Sequence, residues 1–488
     1  MKLLDLKKII PVPPKFYEVD FNGLNNDSKK IQPGELFIAV RGYKTDGYIY
    51  LDEAIRRGAS AAIVEADQTG PAGFPVLPVA YTRRIQGQVA AQFYGEPSRR
   101  MRLIGVTGTN GKTTVTHLIE HLLNSSYIPT GLIGTVWINN GRERQYSTRT
   151  TPDSIELQRL FAGMMANGIE TVVMEVSSHA LALERTAGSE YDVAVLTNIT
   201  HDHFDFHRNY QQYMEAKLQL FRNLDPAGKP GKYAVLNRDD PSSEQIASEC
   251  RVPVIFYGEG DGSFSRLEAV ERTGLESLIR IRLGDEECRV RTRLPGEFNI
   301  YNILAAVTVA YREGLSVEDI EAALPDFPGV PGRYQEINCG QPFRVMVDFA
   351  HNPAALENIL KMAGEYTRGR RILVFGCEGE KDRVKRPLMG AIAAYHAEVP
   401  ILTSDNVYHE DILQIFTDVL QSLSPGEQGR FIIEPDRRKA IKTAVSMANP
   451  GDFLIVAGKG HEQYLVQGNQ KLHFDDAEEL RRLLQRTE

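Results

Sequence analysis

Only four cysteines occur in 488 residues: Cys250, Cys288, Cys339 and Cys377. They are widely spaced and form no C-x-x-C pair, which fits reduced cytosolic thiols better than a disulfide framework or a zinc site. Excess positive charge is also missing. The formal net charge is −8 and the pI is near 5.9, which argues against general binding to nucleic acid or an acidic membrane. No apolar run approaches the length that spans a bilayer. The N-terminal MKLLDLKKIIPVPP is broken by Asp5, Lys7 and Lys8, so it lacks a signal-peptide core. A cytoplasmic location is expected, with neither nucleic acid nor membrane as a partner.

What remains is an ordinary globular composition, 42% apolar and 25% charged, on a chain too long for one core. Three blocks are expected. Residues 1–100 end in the Gly/Pro/Ser stretch FYGEPSRR and contain two short buried strands, GELFIAVRG and GASAAIVEA, with a helix between them. Residues 101–330 alternate strands (MRLIGVTG, TVVMEVSS, YDVAVLTNIT) with helices (THLIEHLLNS, SIELQRLFAGMMANG), the pattern of a mainly parallel sheet covered on both faces. Residues 331–488 follow LPDFPGVPGRY and alternate again through FRVMVDFA, PAALENILKMAGEY, RRILVFG and DFLIVAG. The fold class is α/β in three domains. The central one carries a phosphate loop, the first is smaller, and the last is Rossmann-like.

The loop is GVTGTNGKTT, residues 105–114. Gly108 and Gly111 let the backbone turn its N–H groups onto phosphate oxygens, with Thr109, Asn110 and Thr114 completing the cradle. Lys112 supplies a point charge to the β/γ-phosphates, and Thr113 offers its hydroxyl to Mg²⁺. Val106 stands where the strict G-x-x-x-x-G-K-[ST] pattern has glycine. Glu175, at the carboxyl end of TVVME, sits where ligands collect in open α/β sheets and is a natural Mg²⁺ ligand. In TNITHDHFDFH, the residues His201, Asp202, His203, Asp205 and His207 crowd the next sheet edge, a density that favours metal or substrate contact. Lys217 in YMEAKLQLF is not singled out by spacing alone.

These segments, with TTPDSIELQ, MEVSSHALALER, PGRYQ, DFAHNP, FGCEGEKDRVKRPLMG and AGKGHE in the same order, resemble the Mur ligases of peptidoglycan synthesis over nearly the whole chain. Within that family the resemblance is to the members that add the third residue of the stem peptide to UDP-N-acetylmuramoyl-L-Ala-D-Glu. It implies that ATP phosphorylates the D-Glu side-chain carboxylate and that an amine attacks the acyl phosphate, giving amide, ADP and phosphate. It further implies that Lys112 holds phosphates and that Thr113 and Glu175 take one Mg²⁺. His203 takes a second, ordered by a carbamylated Lys217. Asn299, Asn302, Arg333 and Asp348 match nucleotide-contacting positions, with a hinge near Arg333. Ser28, where Lys29 replaces the family's arginine, matches the uridine side. Thr150, Thr151, Ser177 and Arg185 match residues that hold the sugar pyrophosphate and peptide. A monomer is expected.

The amino-acid pocket departs from the pattern. Members that add meso-diaminopimelate carry Asp-Asn-Pro-Arg, whose arginine clamps the distal carboxylate, whereas this chain has Val407 and Tyr408 after Asn406. Lys381 replaces a second arginine and loses its bidentate fork. Gly458 and Glu462 match positions for the α-carboxylate side and the distal ammonium. Losing a bidentate contact to a buried carboxylate costs roughly 2–5 kcal/mol. Three outcomes stand open: Lys381, Arg383 or His409 replaces the missing cation; L-lysine or another diamino acid is used; or a neutral pocket around Tyr408 takes a different amino acid in a secondary pathway. Folylpolyglutamate synthase-type enzymes share the core but lack the uridine-binding first domain. A motor or switch, or a non-catalytic scaffold, fits the constellation less well.

Overall fold

The computed structural model describes residues 1–42, 45–200, 202, 204–273 and 276–485, with Phe204 and Asp205 described in backbone alone. His201 and His203 therefore lie outside the described residues, as does the side chain of Asp205. Among the described residues, three α/β units are built on separate sheets of four, eleven and six strands, with a further two-stranded ribbon.

The first unit pairs Gly23–Asn25, Glu35–Ile38, Ala61–Glu65 and Val76–Val79 in parallel. The helix Leu51–Arg56 lies between the two strands legible in the sequence. In the central unit the strand Arg102–Thr107 sits between Thr171–Glu175 and Val193–Leu196, parallel to both. The parallel run continues on one side through Thr130–Ile133 and on the other through Tyr233–Asn237 and Val254–Gly258 to Ser265–Thr273. These inner strands are near-continuous apolar runs because helices cover both faces. The edges differ from the simple alternation expected. Trp137–Asn139 and Arg144–Tyr146 close one side and Glu276–Leu283 and Glu286–Thr292 the other, all antiparallel. Strict every-second-residue burial in Glu276–Leu283 marks a sheet with one wet face.

Strand order reverses beside Arg102–Thr107, so the loop that follows this strand opens into the crevice where ligands bind in such sheets. The third unit has a parallel core of Arg344–Asp348, Phe453–Ala457, Arg371–Phe375, Val399–Leu402 and Ile432–Ile433, with one short antiparallel edge strand, Gln335–Glu336. It meets the central unit at this crevice and at the sheet edge that ends in Tyr146. Arg333 Nη2 donates to Thr113 Oγ1 (3.4 Å), Asn352 Nδ2 to Asp202 Oδ2 (3.3 Å), and Gln463 Nε2 to the Tyr146 hydroxyl (2.9 Å). Among the described residues no helix is long and apolar enough to cross a membrane.

Candidate active site

The phosphate loop is braced from behind by the next strand end. Thr109 N donates to Asn198 O (2.7 Å), Asn110 N to Asn198 Oδ1 (3.1 Å), and Thr197 Oγ1 to Asn110 O (2.6 Å). Two glycines are required by space as well as by torsion. A Cβ on Gly108 would overlap the Thr197 hydroxyl, and one on Gly111, at φ 88°, would strike the Asn302 amide oxygen. Gly111 opens the helix Lys112–Ser125, whose N-terminus directs free N–H groups and its dipole into the crevice. Lys112 folds back over the loop, its ammonium donating to Gly108 O (2.9 Å) and Thr109 O (2.8 Å).

Glu175 is fully buried at the end of its strand and makes three contacts. It accepts from Thr113 Oγ1 (3.0 Å), Thr135 N (2.6 Å) and Thr135 Oγ1 (2.9 Å). A carboxylate removed from water and tied to a threonine hydroxyl beside a phosphate loop is a hard oxygen pair, suited to Mg²⁺. Lys217, 1% exposed, lies across the crevice on the helix Tyr210–Arg222. Its amine donates to Gly108 O (2.7 Å) and sits 4.4 Å from the centre of the Tyr213 ring. Burial, and next the charge of Lys112, push its pKa well below the ordinary lysine value. Of the acidic and histidine residues in TNITHDHFDFH, Asp202 reaches the crevice. His207 instead is buried against Ser178, sharing a 3.0 Å hydrogen bond.

Arg333 is drawn in from the third unit. Its guanidinium lies 4.5 Å from the Phe349 ring and its Nε has no hydrogen-bond partner among the described residues. Asp348 accepts from Tyr334 N (2.7 Å), and burial, only partly offset by Arg333, raises its carboxyl to about 6. Asn302 Nδ2 donates to Asn299 Oδ1 (2.9 Å), and both asparagines line a cavity of about 530 Å³ shared with Thr113, Thr114, Arg333 and Asp348. Two residues not foreseen in the sequence form its aromatic wall: Phe298 and Tyr334 stack at 4.2 Å and 26° across the two units. Asp239, which accepts from the Tyr301 hydroxyl (3.0 Å), adds a polar end.

On the opposite side of Glu175, Thr151 Oγ1 donates to Glu175 O (2.9 Å) and accepts from Ser177 N (3.1 Å). Ser177 caps the short helix Ser178–Ala182, and Thr150 Oγ1 lies 3.2 Å from Thr135 Oγ1. Arg185 Nη1 donates to Thr151 O (3.4 Å). Burial lowers its pKa, and the charges of Arg149 and Arg83 add to that, so three arginines share one region. Arg149 and Arg83 carried no motif in the sequence. Ser28 is buried in the first unit, its hydroxyl donating to Glu53 Oε2 (2.8 Å).

In the third unit Asn406 is central. Its Nδ2 donates to Glu462 Oε2 (2.9 Å), while its Oδ1 accepts from Val466 N (3.0 Å) and from Lys459 Nζ (3.2 Å). Gly458 takes φ 110° beside the Asp405 carboxylate. Tyr408 is half-buried at φ 52°, and Lys381 is exposed.

Comparison with known proteins settles the family. A UDP-N-acetylmuramoyl-L-alanyl-D-glutamate--2,6-diaminopimelate ligase of Syntrophomonas wolfei is 39% identical over 478 residues, covering 98% of this chain and 97% of that protein. The protein of the same name from Geobacillus kaustophilus is 42% identical over 459 residues, covering 94% and 93%. The chain belongs to the Mur ligase family. Its family models are "Mur ligase family, catalytic domain" over 20–99, "Mur ligase middle domain" over 106–310 and "Mur ligase, glutamate ligase domain" over 332–460. A solved UDP-N-acetylmuramoyl-L-alanyl-D-glutamate--2,6-diaminopimelate ligase superposes with a TM-score of 0.68 at 30% identity, covering 98% of both chains. The MurF ligase of Thermotoga maritima, solved with ADP, shares the Mur ligase fold at 19% identity, a TM-score of 0.65 and coverage of 100% and 99%.

Proposed function

We propose that this Mur ligase uses ATP to join a diamino acid to the D-Glu side-chain carboxyl of UDP-N-acetylmuramoyl-L-Ala-D-Glu. The observation that carries the reading is the convergence of Lys112, Thr113, Glu175, Lys217 and Arg333, drawn from two units, on one crevice. It is supported by likeness over nearly the full chain to ligases named for that substrate.

A carboxylate is a poor electrophile, and phosphoryl transfer from ATP turns one of its oxygens into a leaving group. That transfer needs positioning and charge neutralisation rather than a protein nucleophile. The loop N–H groups and Lys112 hold the phosphates, and Arg333, with an N–H free to donate, faces the same end of the cavity from the third unit. Asn299, Asn302 and Asp348 lie along the nucleoside portion, with Phe298 and Tyr334 as its apolar wall. Thr113 and Glu175 would hold Mg²⁺, which when bound offsets phosphate charge; His203, named for a second ion, lies outside the described residues. The Arg83, Arg149 and Arg185 group fits the pyrophosphate of the nucleotide sugar, beside Thr150, Thr151 and Ser177. Ser28 belongs to the uridine side. Gly458, Asn406, Tyr408, Lys381 and Glu462 surround the incoming amino acid.

Burial and the charge of Lys112 shift Lys217 toward the neutral amine, and only the neutral amine adds CO₂, losing a proton to become a carbamate anion. That change removes the clash with Lys112 and supplies a carboxylate where the crevice holds cations. Contacts of Arg333 and Asn352 across the crevice, and of Gln463 at the sheet edge, support closure of the third unit to keep water from the acyl phosphate. The soluble nucleotide substrates suit a cytoplasmic enzyme.

The test is phosphate release with ATP, Mg²⁺, UDP-N-acetylmuramoyl-L-Ala-D-Glu and a panel of amino acids, with products identified by mass spectrometry. Release that depends on both the nucleotide sugar and a diamino acid, with a matching amide product, is the expected result. Absence of product with every amino acid would refute the reading.

A further inference from the structure

We propose that Glu120 is a positioning residue for the reaction: it fixes the edge hairpin 137–146 on the phosphate-loop helix, and the hairpin links the nucleotide-sugar site to docking of the third unit. The proposal rests on the ligase reading above and adds to it a residue that no motif marks.

Alternation decides what the hairpin can do. Its strands, Trp137–Asn139 and Arg144–Tyr146, pair Trp137 with Tyr146 and Asn139 with Arg144. Side chains two apart share a face, as do cross-strand partners, so these four lie together and Ile138 points the other way. The two faces meet different cores. Trp137 packs against the one to which Leu118 and Ile119 of the helix Lys112–Ser125 belong, and Ile138 against the one that holds Leu157 and Phe161. The face with Trp137 is thus turned to the phosphate-loop helix.

Glu120 meets that face from the helix. It is 2% exposed, and one oxygen, Oε1, accepts from both Asn139 Nδ2 (2.6 Å) and Arg144 Nη2 (3.3 Å), the cross-strand pair next to the turn. Among the described residues both side-chain partners of this carboxylate come from the hairpin. A buried carboxylate is costly unless it is paired, so the helix carries Glu120 at the expense of stability unless the hairpin is in place. One acceptor that grips both strands fixes where the hairpin sits along the helix.

The opposite end of the hairpin stands at two functional places. Thr135, two residues before the first strand, donates to both oxygens of Glu175 (2.6 and 2.9 Å), and its hydroxyl lies 3.2 Å from Thr150 Oγ1. Ser147 N donates to Val136 O (3.1 Å), which holds the two feet together, and Thr151 Oγ1 donates to Glu175 O (2.9 Å). At the same end the Tyr146 hydroxyl accepts from Gln463 Nε2 of the third unit (2.9 Å). Gln463 directly follows Glu462, so this contact also sets the position of the loop assigned to the incoming amino acid.

Occupancy and docking are linked in consequence. With the turn end held by Glu120, a pyrophosphate bound at Thr150 and Thr151 orders the feet and presents the Tyr146 hydroxyl where Gln463 reaches it. The docked third unit steadies the feet for the nucleotide sugar in return, because coupling between two binding events is reciprocal. A single exposed hydrogen bond limits the effect to about 10-fold.

The experiment measures Kd for UDP-N-acetylmuramoyl-L-Ala-D-Glu by calorimetry, with Mg²⁺, in the absence and presence of a saturating non-hydrolysable ATP analogue, which bridges the loop and Arg333 and so favours docking. Wild type should bind the nucleotide sugar about 5- to 10-fold more tightly with the analogue present. Gln463→Ala and Glu120→Ala should bring that ratio close to 1 with the Kd for the analogue alone little changed, and Glu120→Gln, which keeps the shared acceptor, should retain it. Arg144→Ala loosens the same anchor from the exposed side and should lower the ratio without endangering the fold. The emission of Trp137, the only tryptophan, should shift when both ligands are bound in wild type and not in Gln463→Ala. A wild-type ratio near 1, or an unmoved ratio in Gln463→Ala and Arg144→Ala, would overturn the proposal and leave the ligase reading standing. Failure to bind the nucleotide sugar under any condition would overturn both.

Discussion

The phosphate-loop crevice and the cluster around Asn406 in the third unit are built differently. In the crevice, backbone geometry does most of the holding. The loop is pinned by Thr197 and Asn198, and two of its glycines have no room for a side chain. Phosphate recognition by N–H groups and one lysine is indifferent to what the phosphate will activate, so its residues match the motif closely. In the Asn406 cluster, which we propose meets the amino acid, recognition would depend on side-chain charge. There the chain carries Tyr408 and Lys381 where the resembling ligases have arginines, around Asn406, Lys459 and Glu462, which bond to one another. On that reading the chemistry is held by the main chain, and the choice of amino acid by a few side chains.

The largest effect that would sharpen this contrast is expected from Lys217→Ala. It should abolish most phosphate release, by about 100-fold or more, for every amino acid equally, because the crevice serves all of them. Added short carboxylates should restore part of the rate; full turnover without them would remove the carbamate role. On the other side, Glu462→Gln should weaken diamino acids by about 10- to 100-fold while leaving neutral amino acids little changed. Equal losses for both classes would take Glu462 out of the side-chain compartment and blur the division.

Acid should act on the seam between the two regions. Burial holds His117 and His351 near 4 and His461 near 3, against an ordinary value of 6.5. Since the folded values are depressed, the unfolded chain binds more protons between about pH 4 and 6.5, so stability falls as pH drops through that window. Each histidine contributes up to about 1.4 kcal/mol per pH unit there. Thermal unfolding followed from pH 7.5 to 5 should show a falling midpoint, and a flat profile would mean that these rings are hydrated. The smallest effect is expected from Tyr146→Phe, which removes the hydroxyl that accepts from Gln463 and costs about 0.5–1.5 kcal/mol of closure. Trp137, 4.2 Å from the Tyr146 ring and the only tryptophan in the chain, provides a fluorescence reading of that contact.

Much of the crevice was legible because its parts are local. A strand, a glycine turn and a helix start lie within ten residues, and Glu175 ends an apolar strand that could only be buried. Arg333 and Asp348 were reachable through the family resemblance alone, since nothing near either one in sequence marks a nucleotide contact. Thr135, which fastens Glu175, and the Phe298–Tyr334 stack escaped notice because each works only through a partner distant in the chain. Arg83 and Arg149 carry no motif, and only the fold places them beside Arg185. The antiparallel edges were missed for a different reason: their alternating pattern was overlooked within a region that otherwise reads as strand and helix.

By itself the sequence determined the α/β class, the phosphate loop and its place at a strand end, because short-range periodicity and glycine torsions specify these without help from the rest of the chain. Only the tertiary structure decided that Lys217 is buried against Gly108 and that Arg333 reaches Thr113 across two units. It alone decided that Asn406, Lys459 and Glu462 meet. Charges acquire their meaning from distance and dielectric, and both are properties of the folded chain.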